Sequence, residues 1–165
     1  MRMRITQLAA IALAALLGAT SAKAIERRPL PAFRVVAPDG TVVSSSKIPV
    51  PDKWLLLYVA PGCQSCDRLL AAFKSWQSPQ LVQRTVIIVG GQVASAQTYL
   101  QQALPPEVNT IPWFADAGNE AWLALRLTGT PVLIGVNKGI TEWAISGVLN
   151  DPSTLESVVK SWVNQ

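Results

Sequence analysis

Runs of consecutive apolar residues, bounded by proline or glycine, alternate along this chain with segments whose apolar residues recur every three or four positions. Residues 54–60 and 85–89 are such runs, which are typical of strands buried on both faces of a sheet. Between residues 66 and 76 the apolar residues have helical spacing, so a helix is predicted to begin at or just after Cys66. A Pro-Gly turn at 61–62 separates the first run from this helix.

Two pairs of β-prone segments flank short turn sequences and therefore predict hairpins. The first pair is residues 33–37 and 41–44 around Pro38-Asp39-Gly40, and the second is residues 132–136 and 141–145 around Asn137-Lys138-Gly139. Both turns combine aspartate or asparagine with glycine, residue types that suit the backbone of turns.

Further helices are predicted from capping residues and from the prolines that end them. Ser95 is expected to cap a helix that runs to Leu104, and Asn119 to cap a helix over 120–127. A last helix follows the second hairpin. Strands that alternate with helices, followed by a hairpin and a final helix, indicate an α/β domain with a central mixed β-sheet flanked by helices.

The first residues have the pattern of a secretory signal peptide. Two arginines precede an apolar run of about ten residues, and small residues follow up to Ala24. This run is shorter than the roughly 20 residues that span a bilayer, so cleavage after Ala24 is predicted, with an uncleaved membrane anchor as the alternative. We therefore expect an exported, periplasmic protein with a signal peptide over 1–24, a proline-containing linker over 25–31 and one domain over 32–165.

The chain has two cysteines and no histidine, which excludes several kinds of site. A structural zinc site normally needs four Cys or His ligands, and Ser-His-Asp or Cys-His hydrolases need a histidine. Attachment of a c-type haem needs histidine directly after Cys66, where this chain has Asp67. We expect no cofactor or metal. Three of the four net positive charges lie in the predicted signal peptide, so neither nucleic acid nor an anionic membrane surface is an expected partner.

Cys63 and Cys66 form a C-x-x-C motif at the predicted start of a helix. Unpaired amide N–H groups and the helix dipole stabilise a thiolate there, and the pKa of such a thiol can fall from about 8.5 to roughly 3.5–7.5. Cys63 is therefore predicted to be the nucleophile. Cys66 is predicted to resolve the mixed disulfide, which leaves a Cys63–Cys66 disulfide. A purely structural disulfide is the alternative, although a bridge across so short a loop removes little chain entropy.

Thr130-Pro131 directly precedes the predicted strand at 132–136. X-Pro bonds can be cis at modest cost, and a cis bond here would expose the Thr130 backbone for pairing with an extended substrate chain. Trp113 adjoins another short extended segment. It either contacts substrate or fills the edge of the core, as most tryptophans do.

Taken together, these motifs resemble the thioredoxin superfamily, in particular its exported TlpA/ResA/DsbE-like branch, over roughly residues 30–162. The resemblance implies a thioredoxin-like fold with an N-terminal β-hairpin extension. It also implies that Cys63 attacks, Cys66 resolves, Pro131 is a cis-proline facing them, and Thr130 contacts substrate. The expected activity is that of a protein thiol-disulfide oxidoreductase, more readily a reductase than an oxidase or isomerase. Its expected partners are exported protein thiols or disulfides and a redox partner protein.

The chain departs from this family close to the cysteines. Gly62 replaces the usual tryptophan, Leu57 occupies the place of thioredoxin's buried carboxylate, and Leu69 replaces a glutamate found in some relatives. No obvious buried base therefore assists Cys66. These departures support a second hypothesis, a thioredoxin-fold binding or assembly protein of a cell-envelope secretion or conjugation apparatus with a structural or low-activity disulfide.

Overall fold

The strands of the chain form one mixed sheet. The computed structural model describes residues 27–76, 78–104, 110–147 and 152–164. Within these ranges the strands are β1 (Arg28–Pro29), β2 (Arg34–Val36), β3 (Val42–Ser44), β4 (Lys53–Val59), β5 (Thr85–Gly90), β6 (Trp113–Asp116), β7 (Val132–Asn137) and β8 (Ile140–Ser146). Their order across the sheet is β1-β8-β7-β4-β5-β6-β2-β3. The central strand β4 runs parallel to β5 and antiparallel to β7, which confirms the mixed sheet.

Helices flank this sheet, as predicted. They are α1 (Gln64–Trp76), α2 (Pro79–Gln83), α3 (Val93–Ala103), α4 (Glu120–Ala124) and α5 (Pro152–Val163), with a short 3-10 turn at Ser45–Lys47. In the part of the chain described here, no helix is both long and apolar enough to cross a membrane.

The apolar run of β4 contributes to two separate cores. Leu55, Leu57 and Val59 pack in a cluster with residues of α1, α3 and α5. The alternate residues of the strand pack on the other face, in a cluster with residues of α4 and the N-terminal hairpin. Fully burying one leucine contributes about 1.5–3 kcal/mol, so a strand covered on both faces is a stable support for the residues that follow it.

The predicted linker is wrong in one respect, because Arg28 and Pro29 form an edge strand. They pair with Thr141 and Ile140 of β8, and the Leu30 N–H donates to the Gly139 carbonyl at 2.8 Å. Proline is tolerated at a sheet edge, where its missing N–H breaks no interior ladder. The boundary between linker and domain stays a prediction, and the predicted signal peptide lies outside the described residues.

The predicted Ser95 cap is wrong, and the predicted Asn119 cap is right in position but makes no side-chain hydrogen bond. Ser95 lies inside α3, where its hydroxyl donates to the Gln92 carbonyl at 2.8 Å. Asn119 has a left-handed backbone with φ of 56° and makes no side-chain cap. The helix it precedes, α4, is also shorter than expected and ends at Ala124. The short helix α2 was not predicted, since its five residues are too few to show a helical period.

Gly135 of β7 lies under an aromatic ring. Its cross-strand partner is Trp143, and a Cβ atom at Gly135 would overlap that ring. We expect Gly135→Ala to displace the ring and to lower the free energy of unfolding by about 1–3 kcal/mol, measured by urea denaturation. Gly129→Ala is the matched control, because a Cβ there meets nothing within 4 Å. Equal stability of the two variants would contradict this packing.

Candidate active site

Cys63 and Cys66 are joined by a disulfide bond at the N-terminus of α1, with their Cα atoms 5.2 Å apart. The site follows directly from the end of β4, since only three residues separate Val59 from Cys63. Cys63 is half-buried, whereas Cys66 is completely buried. Solvent can therefore reach Cys63, whereas Cys66 is enclosed by the protein.

The sulfur of Cys63 occupies the position of a helix-capping group. Cys63 directly precedes α1, its carbonyl accepts hydrogen bonds from the Cys66 and Asp67 N–H groups, and its Sγ accepts the Cys66 N–H at 3.1 Å. Serine, threonine and aspartate use a side-chain oxygen for this contact at the start of helices. When the disulfide is reduced, the same N–H would donate to a thiolate, and a hydrogen bond to a charged acceptor is the stronger kind.

Gly62 shapes the turn that delivers Cys63. Its φ is +78°, in the left-handed region that side chains disfavour, and the Cys63 N–H donates to the Ala60 carbonyl at 3.3 Å. Gly62 therefore has a conformational role in this chain.

The surroundings of Cys66 are apolar. Leu57 is completely buried, Leu69 is 4% exposed, and both belong to the same cluster as Cys66. Neither of these two positions provides a carboxylate beside Cys66. Among the described residues, no group of three or more His, Cys, Asp or Glu side chains could hold a metal ion.

The strand register brings Thr130 and Pro131 to the same end of the sheet as the cysteines. Val132, the first residue of β7, pairs with Tyr58 near the end of β4. The Thr130–Pro131 peptide bond is cis, and the Pro131 carbonyl accepts the Gly147 N–H at 2.8 Å. Thr130 is half-buried and Pro131 is buried.

Several solved structures share this architecture. A secreted disulfide oxidoreductase of Mycobacterium tuberculosis, homologous to E. coli DsbE, aligns with 78% of this chain and 95% of its own, at 14% identity and a TM-score of 0.62. A putative thiol:disulfide interchange protein DsbE of Chlorobium tepidum aligns with 83% of this chain and 96% of its own, at 15% identity and a TM-score of 0.65. The exposed lipoprotein thioredoxin Etrx1 of Streptococcus pneumoniae aligns with 79% and 98%, at 14% identity and a TM-score of 0.59.

This chain has a thioredoxin fold. The fold class predicted from the sequence is thereby confirmed, including the N-terminal strands that extend the sheet. No protein-family model matches the sequence, and no curated protein matches it. At identities near 15% the structural likeness establishes the fold, so chemistry has to be inferred from the residues themselves.

Trp113 lies on β6, two strands away from β4, whereas Pro131 directly precedes β7, which neighbours β4. Trp113 begins β6 and pairs with Ile87, which in turn pairs with Leu57 in the middle of β4. Its half-buried side chain packs against the apolar cluster that contains Cys66. Contact between Trp113 and substrate stays a prediction.

Two polar contacts near the site were not predicted. The Tyr99 hydroxyl of α3 donates to Asp67 Oδ1 at 2.9 Å, and Arg68 Nη2 donates to Ser65 Oγ at 3.3 Å. Burial, followed by the hydrogen bond to Asp67 and its charge, raises the pKa of Tyr99. The Tyr99–Asp67 contact joins residues 32 positions apart, so sequence spacing could not have revealed it.

A buried carboxylate connects the sheet to the start of α4. Asp116 is fully buried, and its two oxygens accept the N–H groups of Ala121 and Trp122 at the start of α4 and the hydroxyl of Tyr58 at 2.9 Å. Burial and the charge of Asp116 raise the pKa of Tyr58. Asp116 therefore supplies the cap that the sequence assigned to Asn119, and the Tyr58 contact ties this helix start to the strand before the cysteines.

Proposed function

We propose that this protein is an exported thiol-disulfide oxidoreductase that acts on protein disulfides through the Cys63–Cys66 couple, in the reducing direction. The observation that carries the proposal is the difference between the two sulfurs. Cys63 is half-buried and receives an amide N–H at a helix start, whereas Cys66 is enclosed behind it. This is the arrangement that an attacking and a resolving cysteine require.

The reaction has two exchange steps. In the reduced protein, the Cys63 thiolate attacks one sulfur of a substrate disulfide, which forms a mixed disulfide and releases the first substrate thiolate. Cys66, after losing its proton, attacks Cys63 Sγ, which forms the Cys63–Cys66 disulfide and releases the second substrate thiolate. The substrate gains two electrons, and a dithiol redox partner protein returns two electrons to the oxidised couple. The structure corresponds to the oxidised form.

Substrate binding is proposed to use the groups that share the end of the sheet with Cys63. An extended substrate chain can pair with the backbone at Thr130 beside Pro131, with Trp113 as a further contact. Such backbone pairing is tolerant of side-chain sequence, which suits an enzyme that acts on several exported proteins.

Export to the periplasm is supported by the signal-peptide pattern of residues 1–24. The similar proteins include one described as secreted and one described as an exposed lipoprotein. Disulfides form and persist in the oxidising compartments outside the cytosol, where proteins that exchange them have substrates.

The redox direction is tested by equilibrating the purified protein with glutathione buffers and measuring the fraction of oxidised couple. We expect a potential closer to the roughly −270 mV of thioredoxin than to the roughly −120 mV of DsbA. The reduced protein should also reduce insulin disulfides in the presence of dithiothreitol. A potential near that of DsbA would contradict the reducing direction, and absence of any exchange would contradict the activity.

A second candidate is a binding or assembly protein of the cell envelope with a structural disulfide. The apolar surroundings of Cys66, with leucine at both carboxylate positions, favour it. Trapping free thiols in intact cells by rapid alkylation separates the two candidates. A pair that is always oxidised and resists glutathione indicates the assembly protein, whereas a partly reduced pair indicates the oxidoreductase.

A further inference from the structure

The Asp67 carboxylate lies within the first turn of α1, immediately after Cys66. Its backbone N–H donates to the Cys63 carbonyl at 3.2 Å, which places it one helical turn from the attacking sulfur. Asp67 is solvent-exposed, yet its side chain is held by the Tyr99 hydroxyl of α3 at 2.9 Å. A negative charge is therefore held on the residue one helical turn after Cys63.

Tyr99 is well suited to hold this carboxylate. The residue is only 9% exposed, and its ring belongs to the apolar cluster that contains Cys66. Because burial and Asp67 raise the pKa of Tyr99, its hydroxyl stays protonated and remains a donor across the physiological range. A donor packed on a neighbouring helix restricts the carboxylate more than solvent does.

Two residues of opposite charge, Asp67 and Arg68, follow Cys66 on α1. Asp67 opposes a thiolate at Cys63, because like charges raise the pKa of a thiol. Arg68 has the contrary effect, and its guanidinium reaches back to Ser65 between the two cysteines. Both charged side chains are exposed and screened by solvent, but the Arg68 contact with Ser65 is long, at 3.3 Å, whereas the Asp67 carboxylate is held at 2.9 Å by the buried Tyr99. The anchored carboxylate is therefore expected to dominate.

We propose that Tyr99 and Asp67 form a positioning pair that holds a negative charge beside Cys63, makes this thiol less acidic and so makes the dithiol more strongly reducing. The link is thermodynamic, since a less stabilised thiolate leaves the reduced protein less favoured relative to the disulfide. The inference deepens the proposed function and rests on Cys63 being the attacking thiol. It gives a physical basis for the reducing direction.

The test compares Asp67→Asn with Asp52→Asn in the full chain. Asp52 is an exposed aspartate just before β4, about 23 Å along the strand from the site, so its replacement removes the same charge elsewhere. We expect Asp67→Asn to lower the pKa of Cys63 by roughly 0.5–1 unit, seen in thiolate absorbance at 240 nm and in alkylation rate against pH. The equilibrium with glutathione should move a few-fold, by about 3–10 times, towards the reduced dithiol. Asp52→Asn should leave both unchanged.

Tyr99→Phe tests the positioning role, because phenylalanine keeps the ring in the core and removes only the donor. We expect Tyr99→Phe to lower the pKa of Cys63 in the wild-type background, because the carboxylate is no longer held in place. In the Asp67→Asn background we expect it to have no effect on this pKa. Equal shifts in both backgrounds, or equal behaviour of Asp67→Asn and Asp52→Asn, would overturn the inference. If wild-type Cys63 ionises only at strongly alkaline pH and exchanges no disulfide, the proposed function itself fails, which is a separate result.

Discussion

Replacing Cys63 with serine is expected to abolish disulfide exchange, by a factor on the order of 10³ or more, because a serine hydroxyl cannot take the place of the attacking thiolate. Insulin reduction with dithiothreitol measures the loss. Secondary structure should be preserved, since serine is a good residue at a helix start and its oxygen can accept the N–H that now reaches Cys63 Sγ. The loss is therefore attributable to chemistry.

Cys66→Ser should behave differently, because it leaves the attacking sulfur in place and removes the group that resolves the mixed disulfide. A stable adduct with substrate, or with glutathione, is expected and is detectable by non-reducing electrophoresis and mass spectrometry. The double variant Cys63→Ser/Cys66→Ser is the control and should form none. An adduct on Cys66 in the Cys63→Ser variant would reverse the assigned roles.

Asp116→Ala is expected to cause a large loss of stability, about 3 kcal/mol in the free energy of unfolding. The fully buried carboxylate accepts hydrogen bonds from Ala121, Trp122 and Tyr58, and alanine leaves these donors without their acceptor. Because Tyr58 lies in β4 and α4 leads towards Pro131, the substitution also loosens the framework around the cysteines. Urea denaturation followed by tryptophan fluorescence measures the change.

Two milder variants separate the contributions of Asp116. Tyr58→Phe removes a single hydrogen bond and is expected to cost about 1 kcal/mol. Asp116→Asn keeps one accepting oxygen at the start of α4. Its loss of stability should therefore lie between those of Asp116→Ala and Tyr58→Phe. A cost for Asp116→Ala no larger than that of Tyr58→Phe would show that the helix-capping contacts contribute little.

The sheet and the reactive pair could be predicted because their signals are local and strong. The apolar run of β4 has the length and boundaries of a central strand, and a C-x-x-C turn before a helical period has few other structural solutions. Thr130-Pro131 follows the C-x-x-C motif in the order expected for this fold, which makes the two motifs together more specific than either one. The register of Val132 with Tyr58 then shows why two segments so distant in sequence meet at one end of the sheet.

The polar contacts around the site could not be predicted in the same way, because they depend on distances between elements. Asn119 has the right residue type and position for a cap, but its left-handed backbone turns it away from that role, and Asp116 three residues earlier reaches the free N–H groups. Tyr99 reads as a core residue of an amphipathic helix, and only the packing of α3 against α1 brings its hydroxyl to Asp67. Likewise, nothing near Gly135 in sequence indicates the ring of Trp143 above it.

The capping position of the Cys63 sulfur also affects the expected lifetime of the proposed mixed disulfide. A thiol of lower pKa is more fully ionised at neutral pH, and it is also the better leaving group in exchange. The amide of Cys66 that assists the opening step thus equally assists the release of Cys63 from any partner it has captured. If the proposed exchange takes place, we expect the covalent complex with substrate to be short-lived and the exchange to run in either direction until the supply of electrons decides it.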